Sequence, residues 1–348
     1  MGLLSFLRRW TTSSSQLDLS PPPAPEVTLE RAAPAMTVAP AMDELSDSAE
    51  PPGWWVPRVC DPAAARPAGT VDQTLYSRLV AVLDNPNIEL PRLPQVTQQL
   101  LARMQSEDVD YKKAAELARQ DPVLTANLLR LVNSVAYRGV AEVTQIDRAF
   151  ARLGRRALCS FLIADGVKGI AIKVGGKQKS LGEELWRRSL ASAVMMGFAA
   201  QRFGLSEDQS FLVGLLHDIG SLAILKVLYD HRVSGGAETS RATFDRVNRE
   251  WHEHLGMRLA DAWGLPDPLP ELIGSHHREP RDDDPLKTTR YLLAMCDAAG
   301  EMLGYAAYVG HDFLNLACVK KLGLRDEPST RTLLLEMAQA AETRMAAF

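Results

Sequence analysis

A histidine and an aspartate stand side by side in an otherwise apolar stretch of this chain. The stretch reads FLVGLLHDIGSLAIL, and the pair is His217 and Asp218. Imidazole and carboxylate groups suit Zn, Mn and Fe, and two neighbouring ions of this kind can hydrolyse phosphate esters. A buried, ionised Asp among Leu and Ile would be costly without a metal ion or a cation beside it. We expect the pair to lie at a helix end, where Gly220 lets the chain turn.

Histidines are concentrated around this pair. The chain has seven, and six of them fall between residues 217 and 277. They are His217, His231, His252, His254, His276 and His277. Such a density of imidazoles next to carboxylates favours a present or former metal site.

Composition and charge exclude several classes of function. The chain has 348 residues, of which 46% are hydrophobic and 24% charged, as in ordinary soluble proteins. Its net charge of -4 gives no general attraction to nucleic acid, so no DNA partner is expected. The length allows about two domains, or one domain with tails.

The expected compartment is the cytoplasm. The four cysteines lie far apart with no CxxC spacing, which argues against a zinc ribbon or a disulfide framework and fits a reducing environment. No apolar run approaches the roughly 18 residues of a membrane span, so no transmembrane segment is expected. The opening MGLLSFLRRW has its charges after its apolar patch, the reverse of a signal peptide.

The first 70 residues differ from the rest of the chain. They hold 11 of the 21 prolines and show little periodic pattern. Proline removes backbone donors and restricts its neighbours, so residues 1–70 are predicted to form a disordered tail.

Helical periodicity begins at about residue 72. Apolar residues recur at helical spacing in QTLYSRLVAVLD, LPQVTQQLLARMQS and DPVLTANLLRLVNS. Asp121 and Pro122 suit the N-cap and the first turn of a helix. No convincing alternating strand is found, which predicts an all-α architecture.

Several ordered motifs resemble one family. HDIG at 217–220 is similar to the hallmark of the HD superfamily of metal-dependent phosphohydrolases. Upstream, LPRLP, DPVLTANLLRLVNS and the segment ending at ARLG resemble the narrower HDOD domain, and so does ADAWGLPDPLPELIGSHH downstream. The resemblance covers roughly residues 84–283.

The resemblance implies a two-lobed helical domain. Residues 71–173 would form the N-terminal lobe and residues 180–305 the HD-like lobe, with KVGGKQKS as a flexible linker between them. Residues 306–348 would add C-terminal helices packed on the HD-like lobe. HDOD proteins are usually regarded as non-catalytic signalling modules of bacteria.

The resemblance also indicates which residues correspond to metal ligands. Catalytic HD enzymes use a first His, the His-Asp pair and a later Asp. The related HD-GYP phosphodiesterases add further histidines. The positions of this chain that match are His217, Asp218, His252, His276, His277 and Asp297. The GYP continuation is absent, because HHREPRDDDP follows instead.

The first His of the pattern is replaced by Arg188. A guanidinium stays protonated, so it has no lone pair for a metal and would repel the ion. Three hypotheses remain: a buried ion pair of Arg188 with Asp218 or Asp297, residual binding of Fe, Mn or Zn without turnover, and a working hydrolase. An Arg188 side chain that points into the pocket would count against the hydrolase.

The interpretation that these residues favour is a cytoplasmic regulatory or scaffolding module with a degenerate HD site, no catalytic residue and no required cofactor. Its partners would be signalling proteins, and a nucleotide-like ligand in the pocket stays open. The alternative is a metal-dependent phosphohydrolase acting on a nucleotide or cyclic dinucleotide.

Overall fold

The computed structural model describes residues 71–104, 109–134, 137, 139, 141–172, 178–233, 239–265, 267–305 and 313–348. The predicted tail 1–70, His311 and the first five residues of the predicted linker lie outside the described residues. The division into lobes at residues 173 and 180 therefore stays a prediction.

Regular structure in the described part of the chain is helical, which confirms the all-α prediction. The helices are α1 (Gln73–Leu83), α2 (Gln95–Arg103), α3 (Tyr111–Ala118), α4 (Pro122–Val132), α5 (Ile146–Ile172), α6 (Gln178–Ala200), α7 (Glu207–Leu216), α8 (Ile219–Val233), α9 (Arg241–Ala262), α10 (Leu269–Ile273), α11 (Lys287–Met302), α12 (Ala317–Lys321) and α13 (Pro328–Met345). Short 3₁₀ turns occupy Gln201–Phe203 and Phe313–Asn315.

Helix α4 begins as its sequence predicts. The Asp121 carboxylate accepts hydrogen bonds from the backbone N–H groups of Val123 and Leu124 at 3.0 Å each. Pro122 stands at the first helical position, where its missing N–H costs nothing. This cap fixes the start of the helix that packs on α5.

Helix α5 joins the helices that precede it in the chain, the first half of the fold, to those that follow it, the second half. Gly154 interrupts it with φ 69° and ψ 173°, a left-handed backbone conformation that favours glycine. The helix packs both on the preceding helices α2, α3 and α4 and on the following helices α6 and α7. The buried side chains of both halves accordingly form one contiguous hydrophobic cluster.

The predicted linker is shorter than expected. Its last three residues, 178–180, already belong to α6, so the expectation of a flexible segment throughout KVGGKQKS was wrong at this end.

The segment before α2 is held against the second half of the chain. Arg258 donates to the carbonyls of Leu83, Asn85 and Pro86 at 3.2, 3.0 and 2.9 Å.

Gly220 does not form a turn. It lies inside α8, and the chain breaks between α7 and α8 at His217 and Asp218 instead. A Cβ on Gly220 would lie 1.9 Å from the carbonyl oxygen of His252. The glycine therefore permits a close crossing of α8 and α9, and it brings the His-Asp pair next to His252.

One described stretch, Glu207–Val233, contains an 18-residue window that is apolar enough to cross a membrane by length and composition, with a mean hydropathy of 1.8. This corrects the expectation that no apolar run reaches such a length. Since 83% of its most apolar window is buried inside the fold, it has the character of core helices.

The crossing of α8 and α9 predicts a strong effect of Gly220→Ala. The new methyl group would overlap backbone atoms that cannot move independently, so we expect a loss of about 3 kcal/mol or more of unfolding free energy, or no folding at all. Urea denaturation followed by circular dichroism measures it.

Gly169→Ala is the matched control, because a Cβ at that helical glycine of α5 would meet nothing within 4 Å. This control should leave the protein as stable or stabilise it by up to about 1 kcal/mol. Equal stability of the two variants would contradict the close crossing.

Candidate functional site

Five segments bring the candidate residues to one place. Arg188 comes from α6, the His-Asp pair from the break between α7 and α8, and His252 from α9. The turn after α10 carries two histidines, and α11 carries the last aspartate. The assembled set is Arg188, His217, Asp218, His252, His276, His277 and Asp297.

The Arg188 guanidinium binds both carboxylates of the pocket. It donates to Asp297 from Nε at 3.0 Å and from Nη2 at 2.6 Å, a bidentate pair. Its Nε lies 3.5 Å from Oδ2 of Asp218. The side chains of Arg188, Asp297 and Asp218 are 22%, 14% and 4% exposed, so these charges interact in a largely dry environment.

These contacts decide the ionisation of the three groups. Burial alone would raise the pKa of Asp218, but the charges of Arg188 and His217 hold it well below its usual range. Burial likewise opposes ionisation of Asp297, and the guanidinium again keeps the pKa low. For Arg188, burial is outweighed by the two carboxylates, which raise its pKa. The pocket therefore holds two carboxylates and one permanent cation.

His217 faces the same two carboxylates. Its Nδ1 lies 2.7 Å from the carbonyl oxygen of Gly214, and since a carbonyl only accepts, Nδ1 carries the proton. Its Nε2 lies 3.6 Å from one oxygen each of Asp218 and Asp297. Burial lowers the pKa of His217, the carboxylates raise it, and the net direction is upward. We call Arg188, Asp297, His217 and Oδ2 of Asp218 the arginine side of the pocket.

His252 and His276 meet on the other side of Asp218. Their Nδ1 atoms lie 2.6 and 2.9 Å from the carbonyl oxygens of Asn248 and Ile273, so both rings are protonated there. Their Nε2 atoms lie 3.2 Å apart, and 3.7 and 3.6 Å from Oδ1 of Asp218. Burial lowers the pKa of His252 despite the attraction of Asp218.

His277 covers this group from the solvent side. It is exposed, and its ring centroid lies 4.2 Å from that of His276 and 5.0 Å from that of His252. Loss of hydration on its packed face, together with the neighbouring imidazoles, lowers the pKa of His277 to about 4. We call His252, His276, His277 and Oδ1 of Asp218 the histidine side of the pocket.

The donor set fits a divalent transition metal in part. Ligand atoms of His252, His276 and His277 lie within 4.8 Å of one another, as do those of His217, Asp218 and His276. Nitrogen-rich sets of this kind suit Zn, and hydrogen bonds from Nδ1 to carbonyls orient the rings for ligation through Nε2. On the arginine side, however, the guanidinium already neutralises the carboxylates.

Sequence reasoning missed Arg290. This residue of α11 is 6% exposed and donates to Glu271 at 2.7 Å and to Asp284 at 2.9 Å. It also donates to the backbone oxygen and the hydroxyl of Ser275, at 3.1 and 2.8 Å. It thereby braces the turn that carries His276. Its spacing of seven residues from Asp297 puts both on one helix face, a signal that could have revealed it.

The remaining described histidines lie apart from the pocket. His231 is half-buried on α8, and His254 is exposed on α9 beside Trp251, with ring centroids 5.9 Å apart. Neither belongs to the groups of converging ligand atoms among the described residues. Both are therefore residues of helix faces outside the pocket.

Comparison with known proteins adds a family and a fold. A family model described as the HDOD domain matches residues 90–279. A candidate metal-dependent phosphohydrolase from Shewanella amazonensis SB2B has a TM-score of 0.62 at 21% identity, covering 79% of this chain and 98% of that one. An HDOD domain protein of unknown function from Geobacter sulfurreducens has a TM-score of 0.54 at 23% identity, with 79% and 96% covered.

A candidate signal transduction protein from Marinobacter aquaeolei VT8 has a TM-score of 0.51 at 19% identity, covering 80% of this chain and 61% of that one. Among curated sequences, an uncharacterized protein from Treponema pallidum is 24% identical over 62% of this chain. The chain spans only 43% of that relative's length.

The ion pairs predict that Arg188→Met is costly. Removing the guanidinium leaves two buried carboxylates without a counter-charge, so we expect a loss of about 3–5 kcal/mol of unfolding free energy. Urea denaturation at pH 7 in the presence of a chelator measures it.

Arg241→Met is the matched control. Arg241 is also bidentate, with both N–O distances to Glu184 at 3.0 Å, but its side chain is 39% exposed. This variant should lose less than about 1 kcal/mol, since solvent screens the pair. A loss at Arg188 no larger than at Arg241 would refute the account of the buried cation.

Arg290→Lys should loosen the turn at His276. Lysine keeps the charge but cannot reproduce the planar fork, so several of the four bonds would be lost, at about 2–3 kcal/mol. The imidazole resonances of His276 and His277 in NMR spectra should shift as well. Arg281→Lys, whose exposed fork binds only Asp283, should change neither quantity.

Proposed function

The chain belongs to the HDOD domain family, and from that premise we propose that it is a regulatory or scaffolding module of bacterial signalling whose HD-type pocket does not catalyse. Its fold is shared with a candidate metal-dependent phosphohydrolase and with a candidate signal transduction protein. The contacts within the pocket support the signalling function over the catalytic one.

The observation that carries the proposal is the position of Arg188. Its guanidinium lies against Asp297 at 2.6 Å and near Asp218 at 3.5 Å. A two-metal hydrolase needs these carboxylates as ligands to ions that activate water and clamp the phosphate. Here Asp297 and Oδ2 of Asp218 instead face a cation that has no lone pair and no coordination position for water.

Charge balance supports the same conclusion. The two carboxylates face one permanent cation and an imidazole whose pKa is raised by them. A further divalent ion on the arginine side would meet a guanidinium within contact distance. Such an ion would have to displace an arginine that is held by a bidentate bond.

We extend the proposal to location and partners. A cytoplasmic site of action is supported by free, buried cysteines such as Cys159 and Cys296, which have no pairing role. Burial raises the pKa of both thiols, which keeps them in the unreactive thiol form. Signalling proteins would be the partners, with the pocket available to a nucleotide-like ligand.

The second candidate function is a metal-dependent phosphohydrolase acting on a nucleotide or cyclic dinucleotide. One observation favours it: the Nε2 atoms of His252 and His276 both point at Asp218. This arrangement suits one ion, whereas the in-line displacement of a phosphate ester between two ions needs a second position.

The test is turnover of a generic phosphodiester. The full chain, given Mn²⁺, Fe²⁺, Zn²⁺ or Mg²⁺ in turn, should hydrolyse bis(p-nitrophenyl) phosphate no faster than the Asp218→Asn variant. Turnover by the wild type that vanishes in this variant would overturn the proposal in favour of the hydrolase.

A complementation experiment tests the role of the pocket in the cell. If the chain acts as a scaffold, Asp218→Asn should complement a strain that lacks the gene, provided that circular dichroism finds the variant folded. Failure of a folded variant to complement would show that the function needs the pocket, and the turnover assay then separates catalysis from the binding of an ion or ligand there.

A further inference from the structure

Asp218 divides the pocket between its two carboxylate oxygens. Oδ2 is the oxygen nearer to the guanidinium, at 3.5 Å from Nε, whereas Oδ1 is the oxygen nearer to the Nε2 atoms of His252 and His276. The two sides therefore share one carboxylate but no oxygen atom. A cation on the histidine side would bind to a different oxygen from the one nearest to the arginine.

The three donor atoms of the histidine side have the spacing that a metal ion requires. The two Nε2 atoms lie 3.2 Å apart, and Oδ1 lies 3.7 and 3.6 Å from them. In the plane of three atoms with these separations, the point equidistant from them lies about 2.0 Å from each, which is the length of a Zn–N or Zn–O bond. The side chains are thus already at ligand distance from one common point.

The protonation of the two rings makes this spacing unfavourable without a cation. Both Nδ1 protons are given to backbone carbonyls, so both Nε2 atoms of the neutral rings carry lone pairs. Two lone pairs that face each other across 3.2 Å repel, unless a shared proton or a metal ion lies between them.

We propose that the histidine side is a binding site for a single zinc-like divalent ion, ligated by Asp218 Oδ1, His252 Nε2 and His276 Nε2, with His277 placed as the fourth ligand. The inference rests on the proposed function in one respect, because Arg188 keeps the arginine side closed to a second ion. The site binds one metal ion, whereas the two-metal hydrolysis of a phosphate ester needs a second.

Surrounding contacts support ligation. Hydrogen bonds from Nδ1 to backbone carbonyls fix ring orientation, as they do for histidines that bind metals. Arg290 braces the turn that carries His276. His277 is exposed, so an ion can enter from solvent beside it. Bound zinc would join α9, the turn after α10 and the break between α7 and α8.

The experiment is a zinc titration of the full chain after removal of metals with a chelator. Competition with a chromophoric chelator should give one tight equivalent of Zn²⁺, and zinc should raise the thermal midpoint. His276→Gln should weaken binding about a hundredfold or more, and His277→Gln, a change at an exposed side chain, about tenfold.

His254→Gln is the matched control, because His254 is exposed on the same helix as His252 but outside the pocket. It should bind zinc as the wild type does. Co²⁺ in place of Zn²⁺ should give the intense visible absorption of a four-coordinate site in the wild type and in this control.

Two results would overturn the inference. The first is no stoichiometric zinc in the wild type, which would leave a shared proton between the rings. The second is an equal loss of zinc in the His254 and His276 variants, which would mean surface binding. Circular dichroism excludes unfolding of His276→Gln, and His277→Gln gives an independent answer. Phosphodiester turnover by the zinc-loaded wild type would instead overturn the proposed function and leave the zinc site standing.

Discussion

A buried, positively charged arginine side chain lies at the centre of this fold. The Arg188 guanidinium connects α6 to Asp297 on α11 and to Asp218 at the break between α7 and α8. Neither carboxylate could stay ionised in such an environment without it. The arginine therefore ties the break between α7 and α8 to α6 and α11.

The remaining side chains of the pocket are positioned by backbone rather than by charge. His217, His252 and His276 each give the Nδ1 proton to a carbonyl three or four residues earlier, at 2.7, 2.6 and 2.9 Å. Gly214 and Ile273 lie in the last turns of α7 and α10, where carbonyls lack helical partners, whereas Asn248 lies inside α9. Gly220 adds a steric condition, since only a residue without Cβ lets α8 approach the carbonyl of His252.

Much of this arrangement could be predicted from the sequence, since it depends on local rules. Helical spacing gave the all-α class, and Asp121 with Pro122 gave the start of α4. The resemblance to the HD superfamily placed Arg188 at the position of the first metal ligand, and its ion pair with Asp218 or Asp297 was one of three hypotheses. The role of Gly220 could not be predicted, because it depends on how two helices cross. Arg290 was missed for a similar reason: Ser275, Glu271 and Asp284 become its partners only when the turn folds back on α11.

The carboxylate of Asp218 makes the two sides of the pocket thermodynamically dependent on each other. A cation that draws negative charge toward Oδ1 weakens the attraction of Oδ2 for the guanidinium, and the converse also holds. Linkage makes this coupling reciprocal. A partner that pulls α6 away from the aspartate changes the affinity of the imidazoles for a cation, and a bound cation changes the affinity for that partner by the same factor. Arg188 excludes one metal ion from the pocket. The same residue thereby links the surface of α6 mechanically to the second ion, the one that the imidazoles would bind.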